Sequence, residues 1–341
     1  MLTLSPMTFR SFRVLLITAC VLAFPLSAPA PLIYRPGEGW TYEPYGSEGR
    51  WQQPRAKDQL EVAQAAFDKK AYSLALKAAA RVVRVWPLSD YAPQAQYLVA
   101  RCYEAKGNEE RAFNAYQTLL EKQPKIANCD EILQRQYQIA NQFLGGKWFK
   151  LWGYIPFFSS MERTARMYRE IVKTGPYSPV APQSQLNIGS AWEKQKSFGF
   201  KAPDYPAAIH AYDTAADRYH DQPVVASEAI FRTGLDYQKQ AQTPDRDPTN
   251  AGRAIAKFTD FIALYPNDPR VPQAQHAIAS LKGDQARGKF DIARFYEKRK
   301  RYEGARIYYN EVLLLDPNSP YATEARQRID QLKQRILTGT K

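Results

Sequence analysis

From Asp58 onward, apolar residues recur at helical rather than strand spacing, and prolines divide them into blocks. Residues 96–124 show the unit most clearly: Val99-Ala100, Tyr103, Gly107, Ala112, Tyr116, Leu119 and Pro124. Small residues on each of two helices let the helices approach closely. The aromatics fill the space against the next pair. Gly107 supplies the turn, and Pro124 ends the second helix because it has no backbone N–H to donate. This block predicts an antiparallel helix pair.

The block recurs. Tyr72, Ala75, Ala79 and Pro87 form an earlier copy, and Ala140, Phe143, Ala165, Tyr168 and Pro176 a divergent one. Gly189, Trp192, Tyr205, Ala208, Tyr212 and Ala215 follow, then Gly234, Tyr237, Ala254, Phe258 and Pro266. Ala293, Tyr296, Tyr302, Ala305, Tyr309, Val312 and Pro317 close the series. Five or six copies in register resemble the tetratricopeptide pattern, and they predict an all-α, α-α superhelix of five or six helix pairs. After the prolines come similar helix restarts, such as Tyr91-Ala92-Pro93-Gln94-Ala95-Gln96 and Val180-Ala181-Pro182-Gln183-Ser184-Gln185, with Pro tolerated in the first turn.

The domain reading follows from these blocks. Residues 58–125 form an N-terminal pair of repeats. Residues 126–270 hold divergent repeats with insertions at 145–160 and 243–250. Residues 271–341 hold a linker helix, a repeat and a capping helix rich in Arg, Gln and Glu. Gly283 to Gly288 is expected to interrupt the linker helix. Residues 31–57, with four Gly and four Pro among aromatics, read as an extended arm without helical period.

Residues 1–30 carry an export pattern: Arg10 and Arg13, the apolar run Val14 to Phe24, then Ser27-Ala28-Pro29-Ala30. The run is shorter than the roughly 20 residues a permanent span needs. A cleaved signal peptide, cut after Ala30, is the favoured reading. Ile17-Thr18-Ala19-Cys20 offers a competing lipobox, with Cys20 as the lipidation candidate. Cys102 and Cys129 remain in either case. An even number of cysteines in an oxidising compartment invites a disulfide. The repeat register opposes it: Cys129 lies 13 residues before Gln142, the counterpart of Cys102 in the neighbouring helix, an offset of about 20 Å. A disulfide needs Cα atoms within about 7 Å. Two free thiols are expected.

The long repeats, the proline-led restarts and the closing Ile292-Ala293-Arg294-Phe295-Tyr296-Glu297-Lys298-Arg299 helix resemble the outer-membrane assembly factor BamD (YfiO) family. The similarity is clearest over about residues 58–125 and 284–335. The resemblance implies a non-catalytic periplasmic scaffold on the inner face of the outer membrane, in peripheral contact with it. Its implied partners are a barrel-forming assembly subunit and unfolded segments of outer-membrane proteins, with residues 61–86 and 95–122 lining the substrate region and 290–315 docking partner subunits. The alternative is a periplasmic adaptor coordinating Tol or cell-wall machinery, whose repeat domain is similar.

Composition adds limits. The 341 residues are 45% hydrophobic and 24% charged, which excludes a disordered or wholly membrane-embedded chain. The net charge of +13 is spread along the chain without a nucleic-acid module, so it reads as solvated helix faces and no nucleic-acid partner is expected. Candidate chemistry is sparse, and neither enzyme activity nor a cofactor or metal is expected. His210, His220 and His276 have no partners at ligand spacing. The run Gly283-Asp284-Gln285-Ala286-Arg287-Gly288-Lys289 resembles a phosphate loop, but Phe290 stands where Ser or Thr must hold magnesium. The aromatic insertion from Lys147 to Phe158 has two readings. Trp148, Phe149, Trp152, Phe157 and Phe158 form a partner or membrane contact, or they fold back into a groove between helices.

Overall fold

A computed structural model describes residues 32–35, 39–42, 51–151, 155–195, 203–242 and 248–337. The signal-peptide and Cys20 expectations fall outside them, as does Trp152. Thirteen helices run through the described residues: α1 (Ala56–Asp68), α2 (Tyr72–Val85), α3 (Ala92–Ala105), α4 (Glu109–Lys122), α5 (Cys129–Leu144), α6 (Met161–Thr174), α7 (Ala181–Glu193), α8 (Tyr205–Arg218), α9 (Pro223–Ala241), α10 (Pro248–Leu264), α11 (Val271–Lys298), α12 (Tyr302–Leu315) and α13 (Pro320–Leu337). They form six pairs of the tetratricopeptide type with α13 behind them. Two short antiparallel hairpins depart from the all-helical expectation: β1 (Leu32–Arg35) with β2 (Gly39–Tyr42), and β3 (Phe149–Leu151) with β4 (Ile155–Phe158). The first lies in the segment read as an extended arm without helical period, where two short strands pair in antiparallel register.

The chain divides into two compact units, residues 1–98 and 99–341. In the first, α1 and α2 close over Ala63, Ala66, Ala75, Ala78, Ala79 and Val82, all buried. The side chain of the buried Gln59 holds the preceding strand of chain. Its Nε2 donates to the Trp51 carbonyl at 3.0 Å, and its Oε1 accepts from the Gln53 N–H at 2.8 Å.

In the second unit, packed helices enclose buried clusters that add aromatic rings to the small residues. One, from α7, α8 and α9, holds Leu186, Ala208, Tyr212, Ala215 and Ala229. Another, from α9, α10 and the first half of α11, centres on Phe231, Phe258 and Phe261. The last, from the second half of α11 with α12 and α13, centres on Phe290, Tyr309 and Leu332. Gly189 and Gly234 show why a small residue is needed on the first helix of a pair. A Cβ there would stand 2.5 Å from the Tyr212 ring and 2.8 Å from the Phe258 ring.

The repeat is also written in the backbone hydrogen bonds. After α3, Asn108 N–H donates to the Tyr103 carbonyl and Gly107 N–H to the Glu104 carbonyl, with Gly107 left-handed at φ 66°. Residues 66–71, 142–147 and 296–301 repeat this cap with Lys70, Gly146 and Lys300 at the left-handed position. Between pairs, two successive three-residue turns recur. One example is Ser178 N–H to the Gly175 carbonyl followed by Ala181 N–H to the Ser178 carbonyl. Equivalent bonds start at Trp86, Gln123, Tyr219, Tyr265 and Asp316. Proline follows the starting residue each time, except that His220 takes its place after Tyr219.

One expectation is corrected here. Gly283 to Gly288 does not break a helix; α11 runs through it for 28 residues. Two glycines cost about 1 kcal/mol each. Leu281 on one side and Ala286 and Phe290 on the other are buried in different clusters, and both clusters require the helix to continue. The same geometry removes the phosphate-loop pattern, since the glycines lie inside a helix.

Candidate partner-binding surface

The aromatic insertion stands between α5 and α6, where α1–α2, α3–α4 and α11–α12 have a short turn. Its base is tied down by the two lysines. Lys147 Nζ donates to Glu109 Oε1 at 2.5 Å and to Gln142 Oε1 at 2.7 Å. Lys150 Nζ donates to the Gly107 carbonyl. Both contacts fall on the α3–α4 turn, so the insertion covers the end of the preceding pair. Phe149 is only 1% exposed. It stacks on Phe143 with ring centroids 4.2 Å apart, and the Arg163 guanidinium lies over its ring, 5.5 Å from the centroid. Arg163 also pairs with Glu110 at 3.3 Å.

This arrangement separates the five candidate residues. Phe149 is a packing residue, which corrects its reading as a partner contact. Trp148, its neighbour in sequence, is 55% exposed. Phe157 and Phe158 lie in β4, which pairs with β3. The cations that a lipid surface would need are already engaged by protein oxygens.

A polar ladder missed in the sequence links successive pairs. Tyr116, Tyr212 and Tyr309 are fully buried rings on the second helix of a pair. Each hydroxyl donates to a glutamate on the first helix: Glu104 at 2.8 Å, Glu193 at 3.0 Å and Glu297 at 2.8 Å. An arginine from the following pair, Arg135, Arg232 or Arg328, meets the same glutamate at 3.5 Å. A second glutamate four residues before each arginine, Glu131, Glu228 or Glu324, holds it from its own helix. In the divergent pair the ladder is neutral. Tyr168 donates to Asn141 at 2.5 Å, Asn187 donates to Asn141 at 3.2 Å, and Gln183 donates to Asn187 at 3.2 Å. Burial pushes the Tyr168, Tyr212 and Tyr309 hydroxyls well above the ordinary range, so they remain donors. The signal was present in the sequence as a glutamate four residues after the small residue on the first helix.

Beside Glu193 lies a buried carboxyl, Asp236. Its Oδ1 accepts from Lys239 Nζ at 2.9 Å, and Oδ2 has no donor. Burial first, and the charge of Glu193 second, push Asp236 up to about 7 against the opposing pull of Lys239.

Among the described residues no group of His, Cys, Asp and Glu is placed to hold a metal ion. Cys102 and Cys129 are free. Burial pushes the Cys102 thiol up to about 11, so it is a protonated, unreactive group at neutral pH. His220 Nδ1 lies 3.0 Å from the Asp217 carbonyl at an exposed helix end. No described helix is long and apolar enough to cross a membrane.

The family described as YfiO, outer membrane lipoprotein, matches residues 159–314, and the tetratricopeptide repeat family matches residues 94–125. The chain has a helical-repeat fold of the tetratricopeptide type and is similar to the YfiO (BamD) family over residues 159–314. These are families of scaffolds without catalytic chemistry. The outer membrane protein assembly factor BamD of Haemophilus influenzae is 26% identical over 132 residues, covering 33% of this chain and 49% of that protein. That of Neisseria meningitidis serogroup B is 24% identical over 177 residues, covering 49% of this chain and 63% of that protein. The matches therefore span less than two thirds of either relative. A tetratricopeptide repeat protein of Parabacteroides merdae superposes with a TM-score of 0.32 at 12% identity, over 82% of this chain and 98% of that one. The YfiO match falls largely on the divergent repeats and reaches into the α11–α12 pair, and it leaves out residues 58–125, where the resemblance was expected to be among the clearest. It starts just after the aromatic insertion, so Trp148 lies outside both matched stretches.

Proposed function

We propose that this chain is a non-catalytic periplasmic scaffold that assists assembly of β-barrel proteins into the outer membrane. The observation that carries the reading is the YfiO match over residues 159–314. Helix pairs joined by tight turns suit the role, because they present a fixed surface at little ordering cost on binding. The partners proposed are a barrel-forming assembly subunit and unfolded segments of outer-membrane proteins, with Trp148 as an exposed aromatic anchor for one of them.

Affinity capture from envelope membranes tests this. Recovery of the large barrel-forming subunit is expected, and recovery of Tol components in its place would overturn the assignment. Attachment is a separate question. Mass spectrometry of the mature chain is expected to find the terminus after Ala30, and a diacylated Cys20 would replace that by a lipid tether.

A further inference from the structure

Two cavities lie side by side along the turns that join α6 to α7, α8 to α9 and α10 to α11. The first, about 530 Å³, lies between the α6–α7 and α8–α9 turns. The second, about 320 Å³, lies between the start of α9 and the α10–α11 turn. The α8–α9 connection is a wall of both: Asp221 and Gln222 face the first, and Pro223 and Val224 the second. The groove is this pair of cavities, one on each side of the α8–α9 connection.

Three features set this groove apart from ordinary turn surface. Tyr177 lines it while 99% exposed, and Val224 and Leu264 are large apolar residues also left open. Such residues gathered in neighbouring cavities mark a binding surface more than scattered exposure does. Next, Lys173 and Arg218 line the first cavity, and among the described residues neither has a carboxylate partner. The ladder arginines Arg135, Arg232 and Arg328 are all paired. The acid in the second cavity, Asp268, is already neutralised by Arg270 at 2.7 Å. Finally, the floor is preformed. Tyr219 is buried and donates to the Pro176 carbonyl at 3.3 Å, while Ser178 Oγ donates to the Gly175 carbonyl at 2.7 Å.

We infer that this groove docks an extended segment of a partner protein that carries carboxylates beside aromatic or aliphatic side chains. Lys173 and Arg218 meet the carboxylates; Tyr177, Val224 and Leu264 cover the apolar side chains. Asp221 lines the same cavity and repels any anion, so Lys173 and Arg218 leave a net charge of only about +1 there, which suits a carboxylate or two along a chain better than a phosphate-dense surface such as nucleic acid or anionic lipid. The inference does not depend on the envelope role proposed above, since it rests on the groove alone.

Fluorescence anisotropy with the full chain tests it. The probes are labelled synthetic peptides of about twelve residues, which span roughly 40 Å when extended. One alternates Glu with Leu and Phe, a second has Lys for Glu, and a third has Ser for Leu and Phe. The first is expected to bind and the other two to bind at least about tenfold more weakly. The double variant Lys173→Glu/Arg218→Glu and the single variant Tyr177→Ser are each expected to weaken the first peptide by about tenfold or more. The double variant reverses charges in the last turns of α6 and α8 and is expected to lower the thermal midpoint by a few degrees at most, Tyr177→Ser to leave it unchanged, and Lys282→Glu on α11 to leave binding unchanged. Three results would overturn the inference. Wild-type chain could bind none of the peptides, or bind the Lys peptide as well as the Glu peptide. The double variant could bind like wild type. Sedimentation and flotation with anionic vesicles identify other occupants. Self-association or vesicle binding that is abolished by the groove variants, without binding of the acidic peptide, assigns the groove to a second copy or to lipid instead.

Discussion

The Tyr309 hydroxyl donates to Glu297 Oε2 at 2.8 Å, and Arg328 of the following helix meets the other oxygen of the same carboxylate at 3.5 Å. The ring fills the gap within one pair while its hydroxyl, through the glutamate, joins that pair to the next. Tyr116 and Tyr212 do the same, so the contact is a repeating joint. Removing the hydroxyl leaves a partly buried glutamate short of a donor, which costs about 1–3 kcal/mol. Tyr309→Phe and Tyr212→Phe are each expected to lower stability by that amount in urea unfolding. In a double-mutant cycle, Tyr309→Phe and Glu297→Gln should be clearly non-additive. Additive losses would mean that the hydroxyl and the carboxylate act separately.

The pair α9–α10 has Phe258 where α3–α4, α5–α6, α7–α8 and α11–α12 have tyrosine, packed on Gly234 as Tyr212 packs on Gly189. Four residues after Gly234 stands Gln238, where Glu193 follows Gly189. Hydroxyl and carboxylate are thus absent together from this pair. Reading the chain as a sequence reveals the small and aromatic positions, because helix approach imposes them at fixed spacing. It does not reveal which glutamate a tyrosine will meet, since that bond crosses from one helix to another. The Gly283 to Gly288 run was misread for a related reason. Local propensity favours a break, and the deciding term is burial of Leu281 and Phe290 in separate clusters. The fate of the insertion was equally hidden. Trp148 and Phe149 are adjacent and similar in hydropathy, and only the stack on Phe143 separates an open ring from a buried one.

Asp236 makes stability depend on pH in an unusual direction. Its carboxyl titrates at about 7 in the folded chain, against 3.8 when unperturbed. A raised carboxyl leaves the fold at full advantage below about pH 4, where both states are protonated. The advantage is lost as pH rises towards 7 and the buried group must ionise. Asp236→Asn keeps the uncharged shape at every pH. It is expected to unfold like wild type near pH 4 and to be more stable at pH 8 by about 2–4 kcal/mol, less whatever the Lys239 contact contributes. Equal stability of the two proteins at pH 8 would show that Lys239 fully compensates the buried charge.

The same substitution should have opposite signs at two glycines. A Cβ on Gly189 would meet the Tyr212 ring at 2.5 Å, so Gly189→Ala is expected to cost about 1–3 kcal/mol through overpacking. A Cβ on Gly283 would meet nothing within 4 Å, and the residue lies inside α11. Gly283→Ala is therefore expected to stabilise by about 0.5–1 kcal/mol, the difference in helix propensity. Thermal melts of both variants check the pair. Destabilisation by Gly283→Ala would mean that a kink at this glycine is part of the fold.

Trp148 and Phe149 give the sharpest contrast between partner contact and packing. Phe149 is stacked on Phe143 beneath Arg163, so Phe149→Ala empties a buried site and is expected to cost about 3–5 kcal/mol. Trp148→Ser removes a ring that is more than half exposed and should change stability by less than about 0.5 kcal/mol. If Trp148 anchors a partner, the Trp148→Ser chain should melt like wild type yet recover less of that partner from envelope membranes. A folded Trp148→Ser chain with undiminished recovery would remove the tryptophan from the partner surface and leave Lys147, Phe149 and Lys150 as a clamp that closes the end of the α3–α4 pair.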